Sequence, residues 1–254
     1  MSKAKIELCK IKSQQMIAKD IYELTLISSY ISRTAGPGEF VTLFSGKEVF
    51  FRRPFSLCAV HEDSFIVIYK KIGKGTAYLS GLKSGDTIEV NGPLGRGFPM
   101  CTGKDIYIVG GGIGIPPLYF IATELYRSNT VYSYLGFKSK DESYYTDRFS
   151  LISQDTHVAS DDGSMGEKGF ITDILAKQAT FSDNAVIYAC GPHGMLRSIR
   201  DLSQHFRVET YISAEEIMGC GIGICLGCAV PSGDSYLHVC TDGPVFNIKD
   251  IDIA

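Results

Sequence analysis

Long apolar runs and an excess of basic charge are both missing from this sequence. No uncharged apolar run approaches the roughly 18 residues that a membrane-spanning helix needs. Lysine and arginine number 25 against 28 acidic residues, a formal net charge of -3, so no basic surface for nucleic acid is predicted. Tryptophan is absent, and the five histidines are scattered, which argues against a histidine metal site.

An apolar signal segment is also missing after Met1, which predicts a cytoplasmic protein with reduced thiols. The 254 residues are 44% hydrophobic and 21% charged, as expected for a globular chain that buries a core in two moderate domains or one large domain. The 27 glycines exceed the usual share of about 7% and cluster in loops. Glycine-rich loops at strand ends are common phosphate sites.

Four of the eight cysteines stand close together near the end of the sequence, at Cys220, Cys225, Cys228 and Cys240. The first three follow a spacing that holds a [2Fe–2S] cluster, and the glycines between them allow backbone N–H groups to approach sulfur. Zinc is the alternative, although zinc sites usually combine two Cys-x2-4-Cys pairs and Cys240 stands alone. Two disulfides are a third reading, which a reducing compartment disfavours. The pattern predicts a [2Fe–2S] cluster.

Three regions follow from the hydrophobic pattern along the chain. Residues 1–101 show short alternating strands separated by turns, which predicts a small closed β-barrel. Residues 102–206 alternate buried strands with helices, which predicts a doubly wound parallel sheet, with Thr172 as the N-cap of one helix. Residues 207–254 form a tail that carries the four clustered cysteines.

A glycine-rich turn follows the first buried strand of the predicted sheet. Residues 110–114 read Gly-Gly-Gly-Ile-Gly and open a helix, where N–H groups and the helix dipole favour pyrophosphate. The second strand ends in Gly136-Phe137-Lys138, so the acidic residue that usually binds ribose is missing or replaced. Cys190-Gly191 ends the last strand. Cys190 either faces a nicotinamide ring or packs as a small core residue.

The barrel region contains two segments that suit an anionic cofactor. In Arg53-Pro54-Phe55-Ser56, a single arginine stands in an apolar stretch, and its planar fork matches phosphate. The alternative is a solvated arginine at a strand end. Residues 73–76 read Gly-Lys-Gly-Thr and either cradle a diphosphate with backbone N–H groups or form a surface turn.

Together these segments resemble the ferredoxin–NADP reductase superfamily. Residues 53–56 match its flavin motif, residues 73–76 its diphosphate turn, residues 110–117 its nucleotide loop and residues 190–192 its Cys-Gly-Pro motif, all in the same order. The resemblance implies FAD bound by Arg53, Pro54, Phe55, Ser56, Ile68, Tyr69, Lys70, Gly75 and Thr76. It also implies that NAD is bound by Gly111, Gly112, Gly114, Cys190 and Gly191.

With the cysteine tail included, the whole chain is similar to the electron-transfer subunits of type B dihydroorotate dehydrogenases. The stretches 52–56, 92–98 and 240–246 carry this likeness. It implies a [2Fe–2S] cluster on Cys220, Cys225, Cys228 and Cys240, and a partner catalytic subunit with FMN, two of each chain in a heterotetramer. Electrons would run from FMN through the cluster and FAD to NAD+, in de novo pyrimidine biosynthesis, without a catalytic side-chain acid or base.

Two alternatives remain open at this point. A related FAD and [2Fe–2S] reductase subunit of a hydrogenase, sulfite reductase or ferredoxin transhydrogenase would carry the same motifs. A binding module without redox chemistry, with a structural zinc in its tail, belongs to another class. Lys138 and Lys140 follow the second strand of the sheet, so binding of a 2′-phosphate also stays open.

Overall fold

A closed barrel of six antiparallel strands forms the first part of the chain, which a computed structural model describes over residues 3–253. The strands follow one another around the barrel in the order first, second, fifth, fourth, third and sixth, and the sixth closes on the first. They are β1 (Lys5–Ala18), β2 (Ile21–Ile27), β3 (Phe40–Leu43), β4 (Arg53–Val60), β5 (Ser64–Lys70) and β6 (Thr87–Leu94).

The barrel interior is filled by aliphatic side chains that alternate along the strands, as predicted from the period of two. Leu24, Leu26, Val41 and Val67 are completely buried there. Two short helices, α1 (Ser29–Thr34) and α2 (Lys74–Gly81), follow β2 and β5. The second of these begins in the predicted diphosphate turn.

A seven-stranded sheet forms the rest of the molecule. Its order is β10-β9-β8-β7-β11-β12-β15, and every pair is parallel except the antiparallel pair of β12 and β15. These strands are β7 (Asp105–Gly111), β8 (Thr130–Phe137), β9 (Asp155–Ser160), β10 (Glu167–Lys168), β11 (Ala185–Cys190), β12 (Glu209–Ser213) and β15 (Val245–Asn247). Between the last two lies the hairpin of β13 (Ala229–Ser232) and β14 (Ser235–His238).

Helices cover both faces of this sheet, which explains why β7 and β11 are apolar along their length. The helices are α3 (Ile115–Leu125), α4 (Thr146–Ser150), α5 (Ile171–Gln178) and α6 (His193–Phe206). The predicted fold class, a barrel with a parallel α/β sheet and a C-terminal cysteine module, is therefore confirmed. No helix within residues 3–253 is long and apolar enough to cross a membrane.

Two details differ from the sequence analysis. Thr172 is not the cap of α5: the helix begins at Ile171, Phe170 is the capping residue, and Thr172 is buried within the helix. The segment after residue 206 also does more than carry cysteines, because β12 and β15 extend the sheet. The boundaries at 101/102 and 206/207 stay predictions.

A buried polar contact fixes the barrel against the sheet. Glu23 of β2, only 7% exposed, accepts a hydrogen bond from the Tyr145 hydroxyl and lies 3.6 Å from the Arg148 guanidinium. Nearby, Lys70 Nζ lies 2.7 Å from a carboxylate oxygen of Glu142. These contacts join β2 and the end of β5 to the segment 142–148, which follows β8.

Candidate flavin, nucleotide and iron–sulfur sites

The barrel wall opens into a cavity of about 710 Å³, which we call the flavin cavity. It lies between β4, β5, the start of α2 and the segment 214–218. Its lining includes all nine residues that the resemblance implies for FAD, namely Arg53, Pro54, Phe55, Ser56, Ile68, Tyr69, Lys70, Gly75 and Thr76.

Arg53 and the turn at the start of α2 meet in this cavity. A Cβ on Gly75 would lie 3.4 Å from Arg53 Cγ, so the arginine stem packs on the turn. Among the described residues, no carboxylate pairs with Arg53; its guanidinium donates to the Phe51 carbonyl at 3.1 Å. The first N–H groups of a helix have no partner within it. A free guanidinium beside such N–H groups fits the diphosphate of FAD.

A second cavity of about 600 Å³, the nucleotide cavity, opens at the carboxyl ends of β7 and β11. Gly111, Gly112, Gly114 and Gly191 line it. A Cβ on Gly114 would lie 2.4 Å from the Cys190 carbonyl oxygen, so the glycine loop and the Cys-Gly-Pro motif are in direct contact. This close approach permits only glycine at position 114, and it brings together motifs that are remote in sequence.

Cys190 lies behind this loop, in the core. Its side chain is 1% exposed and is not among the residues that line either cavity. Burial, with a further contribution from the Glu215 charge, raises the pKa of its thiol well above the usual value. The observed position suits a small packing residue, and contact with a nicotinamide stays a prediction.

The two cavities share a wall in which Lys70 was predicted from the sequence as a cofactor-binding residue and Glu215 was not. Ile113, Lys70 and Glu215 line both cavities. Glu215 keeps an exposed surface, yet it lies in a concave junction where the surrounding protein desolvates its carboxyl group and raises its pKa, an effect that His193 partly offsets. In the sequence, the acidic pair Glu215-Glu216 before the cysteine loop is typical of an exposed, solvated edge. Glu215 was therefore not predicted to line a cavity.

The four clustered cysteines form two pairs. Amide N–H groups of Ile222, Ile224 and Cys225 donate to Cys220 Sγ at 3.3 to 3.4 Å, and the Cys220 N–H donates to Cys225 Sγ at 3.5 Å. The Cys240 N–H donates to Cys228 Sγ at 3.4 Å. Partial burial alone would raise the pKa of the Cys220 thiol, but the amide donors prevail and lower it to about 6.

The loop that holds the first pair has a backbone that requires glycine. Gly221 and Gly223 have φ of +71° and +82°, and a Cβ on Gly223 would lie 2.7 Å from Thr241 Cγ2. Gly221 packs on Thr42, whose buried hydroxyl has no hydrogen-bond partner in the described part of the chain. Amides aimed at sulfur and an unsatisfied hydroxyl beside the loop fit a bound cluster.

The pairing also bears on which metal centre fits. Within residues 3–253, no group of three or more His, Cys, Asp or Glu side chains converges on a site for one metal ion. A structural zinc needs four ligands around one ion, whereas a [2Fe–2S] cluster distributes four thiolates over two irons. The N–H groups that donate to Cys220 Sγ, rather than this absence, favour the two-iron centre.

Models of two protein families match parts of this chain. The iron–sulfur cluster binding domain of dihydroorotate dehydrogenase B matches residues 215–252, which include all four clustered cysteines. The oxidoreductase NAD-binding domain matches residues 108–201, which include the glycine loop and Cys190.

Curated relatives match almost the full length of the chain. The dihydroorotate dehydrogenase B (NAD(+)) electron transfer subunits of Bacillus mycoides (strain KBAB4) and Bacillus cereus (strain G9842) are each 41% identical over 254 aligned residues. In both cases the match covers 95% of this chain and 96% of the relative. The chain belongs to this family. The predicted family is thereby confirmed, and with it an oxidoreductase subunit that works with FAD, a [2Fe–2S] cluster and NAD.

Solved structures support the same fold. The structure of an NADH-dependent reduced ferredoxin-NADP oxidoreductase superposes with a TM-score of 0.87 at 32% identity, covering 97% of this chain and 90% of that one. A ferredoxin NADP+ reductase from Neisseria gonorrhoeae with bound FAD and NADP gives a TM-score of 0.67 at 19% identity, covering 81% and 92%. The second likeness shows the fold alone.

Proposed function

We propose that this chain is the electron-transfer subunit of a dihydroorotate dehydrogenase B, carrying electrons from the FMN of a catalytic subunit to NAD+ in pyrimidine biosynthesis. Membership of the family supports this assignment. The observation that supports it most strongly is that the flavin cavity, the nucleotide cavity and the cysteine loop are adjacent. Met218 lines the flavin cavity two residues before Cys220, and Ile113 lines both cavities.

Each part of the chain then has a binding role. Arg53 and the first N–H groups of α2 hold the diphosphate of FAD, while β4 and β5 shape the cavity for its ring. The glycine loop at Gly111–Gly114 receives the pyrophosphate of NAD. FAD supplies the ability to exchange electrons singly or in pairs. The protein groups bind and orient these molecules, and we assign no side-chain acid or base.

Cys220, Cys225, Cys228 and Cys240 would hold the cluster. The N–H donors of the loop stabilise the thiolates and set the reduction potential. We propose three domains, residues 1–101 for FAD, 102–206 for NAD and 207–254 for the cluster. None of the eight cysteines forms a disulfide within residues 3–253, and we propose a reducing cytoplasm as the location.

The surface around the cysteine loop suits contact with the catalytic subunit. Ile217 and Ile224 are 87% and 76% exposed, and Ile222 and Leu226 are exposed beside them. Phe51 packs 3.5 Å from the place of a Cβ on Gly219 and extends this apolar surface onto the barrel. Exposed apolar surface of this kind marks interaction sites. We propose that the FMN-containing subunit covers it, in a heterotetramer with two of each chain.

One solved structure supports a second candidate. The 32% identical NADH-dependent reduced ferredoxin-NADP oxidoreductase has nearly the same fold over nearly the whole chain. A reductase subunit for another partner therefore remains the alternative. Assembly with a dihydroorotate dehydrogenase catalytic subunit and assay of NAD+-linked orotate formation separate the two. An assembled complex that oxidises NADH but forms no orotate would favour the alternative.

The cluster assignment is tested by Cys225→Ser, with Cys101→Ser as a matched control outside the loop. We expect Cys225→Ser to lose nearly all bound iron and retain FAD, because the flavin cavity lies outside the cysteine loop. Cys101→Ser should retain both. Iron analysis and the visible spectrum of anaerobically purified protein measure this. Stoichiometric zinc in place of iron in the wild-type protein would establish a structural zinc site instead.

A further inference from the structure

A buried tyrosine outside every sequence motif holds the backbone of the glycine loop. The Tyr144 hydroxyl donates a hydrogen bond to the Gly112 carbonyl at 2.9 Å, although the two residues are 32 positions apart in the sequence. Tyr144 is 5% exposed and is not among the residues that line either cavity. It therefore supports the loop from the protein core, behind the surface that a nucleotide would contact.

The hydrogen bond to this carbonyl fixes the direction of the next N–H group. The Gly112 carbonyl also accepts from the Ile115 N–H at the start of α3. Because the peptide bond is planar and trans, the N–H of Ile113 points away from that carbonyl, and so away from Tyr144. Ile113 lines the nucleotide cavity, and a Cβ on Gly112 would meet nothing within 4 Å. The peptide therefore presents the Ile113 N–H to the open side of the loop.

An anion can use this N–H group only while the peptide keeps its orientation. The first N–H groups of a helical turn have no partner within it, and such groups bind pyrophosphate. Gly112 has a φ of +53°, and glycine is the residue that changes its conformation most freely. Rotation of the Gly112–Ile113 peptide by half a turn would present the carbonyl oxygen to the anion instead. The loop therefore needs an anchor at this carbonyl.

The surroundings of Tyr144 keep its hydroxyl a hydrogen-bond donor. Burial raises the pKa of Tyr144 well above the ordinary 10, and the neighbouring Cys58, Cys190 and Glu215 add to this rise. The ring of Phe137 packs edge-on against the Tyr144 ring, with the centroids 6.0 Å apart. The hydroxyl therefore keeps its proton at neutral pH, and the ring is held in place.

The segment that carries Tyr144 is fixed to the barrel on both sides of this residue. Before it, the Lys19 N–H donates to the Asp141 carbonyl at 2.8 Å. After it, Tyr145 has a φ of +63°, and its hydroxyl donates to the Glu23 carboxylate. A residue other than glycine keeps such a conformation only when its surroundings hold it there. The barrel and the sheet together therefore determine where the Tyr144 hydroxyl lies.

We infer that Tyr144 is a positioning residue for the nucleotide, because its hydrogen bond to the Gly112 carbonyl keeps the Ile113 N–H directed at the pyrophosphate. The inference rests on the proposed function, since it requires that the glycine loop binds NAD. Tyr144 lines neither cavity, so it acts through the backbone of the loop and not as an acid or base. A loop that is anchored in advance loses less conformational freedom on binding, which raises its affinity.

The test measures binding of ADP-ribose, which contains the pyrophosphate but no redox group, to the FAD-loaded full-length chain by calorimetry. Tyr144→Phe keeps the ring and removes the donor, while the Gly112 carbonyl keeps its bond from the Ile115 N–H. We expect its affinity for ADP-ribose to fall about tenfold, the size of one charge-assisted hydrogen bond. Tyr107→Phe is the matched control, because this buried tyrosine donates to the Thr180 carbonyl at 3.0 Å and neither residue lines a cavity. Its affinity should be unchanged.

The kinetics of flavin reduction by NADH give a second readout. In Tyr144→Phe, the NADH concentration at half-maximal rate should rise by the same factor, and the limiting rate should stay at the wild-type value. This pattern is expected because a contact to the pyrophosphate is made equally before and during hydride transfer. A lower limiting rate with an unchanged half-saturating concentration would overturn the inference.

The binding outcomes separate this inference from the proposed function. If the wild-type protein does not bind ADP-ribose, the nucleotide site of the proposed function fails together with this inference. If the wild-type protein and Tyr144→Phe bind it equally well, the nucleotide site stands and Tyr144 does not position it. An equal loss of affinity in Tyr144→Phe and Tyr107→Phe would show a general loss of structure and would also overturn the inference. Unchanged FAD content and cooperative thermal unfolding verify that each variant is folded.

Discussion

The flavin and nucleotide cavities are adjacent and both suit a diphosphate, yet their charges differ. Three cations and three carboxylates line the flavin cavity, namely Arg53, Lys70, Lys74, Glu48, Glu215 and Glu216. Carboxylates outnumber cations four to two in the nucleotide cavity. Each cavity has one lining cation without a carboxylate partner among the described residues, Arg53 in the flavin cavity and Lys138 in the nucleotide cavity. From the more negative lining of the nucleotide cavity, we expect it to bind its dinucleotide more weakly than the flavin cavity binds FAD.

The largest expected effect comes from displacing the backbone of the glycine loop, which lines the nucleotide cavity. Gly114→Ala places a Cβ 2.4 Å from the Cys190 carbonyl oxygen, so the glycine loop has to move. A displacement of about 1 Å lowers a reaction rate about hundredfold. We therefore expect flavin reduction by NADH to slow by that factor while FAD stays bound, as measured by stopped-flow absorbance.

Gly81→Ala is the control for this change, because a Cβ there meets nothing within 4 Å. It should reduce at the wild-type rate. A wild-type rate of flavin reduction in Gly114→Ala would contradict the expected displacement of the loop.

The next effect concerns retention of the flavin. Arg53→Ala removes a charge-assisted hydrogen bond to phosphate, which contributes about 1.5–3 kcal/mol. FAD affinity should fall accordingly, and the variant should lose flavin during gel filtration. Arg52→Ala is the matched control, since Arg52 pairs with Glu89 and is not among the residues that line the cavity. Equal flavin content in both variants would remove Arg53 from the diphosphate site.

The smallest effect comes from Glu215, which both cavities share. Its surroundings raise its pKa above the ordinary 4.5, so the folded state binds the proton more tightly than the unfolded state does. The resulting stability is present below the ordinary pKa and is lost as pH rises through the raised pKa. Glu215→Gln should therefore gain thermal stability relative to the wild-type protein as pH rises from acid to neutral.

Thermal melts of the FAD-loaded protein across this pH range measure the difference. Glu216→Gln, which removes the same charge at the neighbouring position, is the control. If the difference in thermal stability between Glu215→Gln and the wild-type protein were the same at all pH values, the raised pKa of Glu215 would be refuted.

The two cavities also differ in how many of their lining residues can be predicted from the sequence. The residues predicted to bind FAD lie in a few short segments, mostly on adjacent strands, and all of them line the flavin cavity. The nucleotide cavity is assembled from strand ends that crossover helices bring together, and Asp161, Phe170 and Met195 carry no local signal. The location of Asp161 in the cavity depends on the register of β9 with β8, and this register can be read only from the folded structure.

Other differences have similar physical causes. Thr172 looks like a helix cap, but the helix begins one residue before it, which places Phe170 at the cap position and buries Thr172 in the first turn. The tail after residue 206 is rich in glycine and cysteine, and this composition conceals the short strands β12 and β15. The cysteine spacing predicted the cluster, whereas the contact between Phe51 and Gly219 depends on tertiary structure.

The most direct test of the central claim follows electrons through the isolated chain. Anaerobically reduced protein is mixed with excess NAD+, and the paramagnetic signal of the reduced cluster is followed together with NADH absorbance. The account predicts that the cluster signal disappears as NADH forms in the wild-type protein, and that the cluster stays reduced in flavin-depleted Arg53→Ala. Oxidation of the cluster by NAD+ at the same rate without flavin, or a cluster that stays reduced with flavin present, would contradict it.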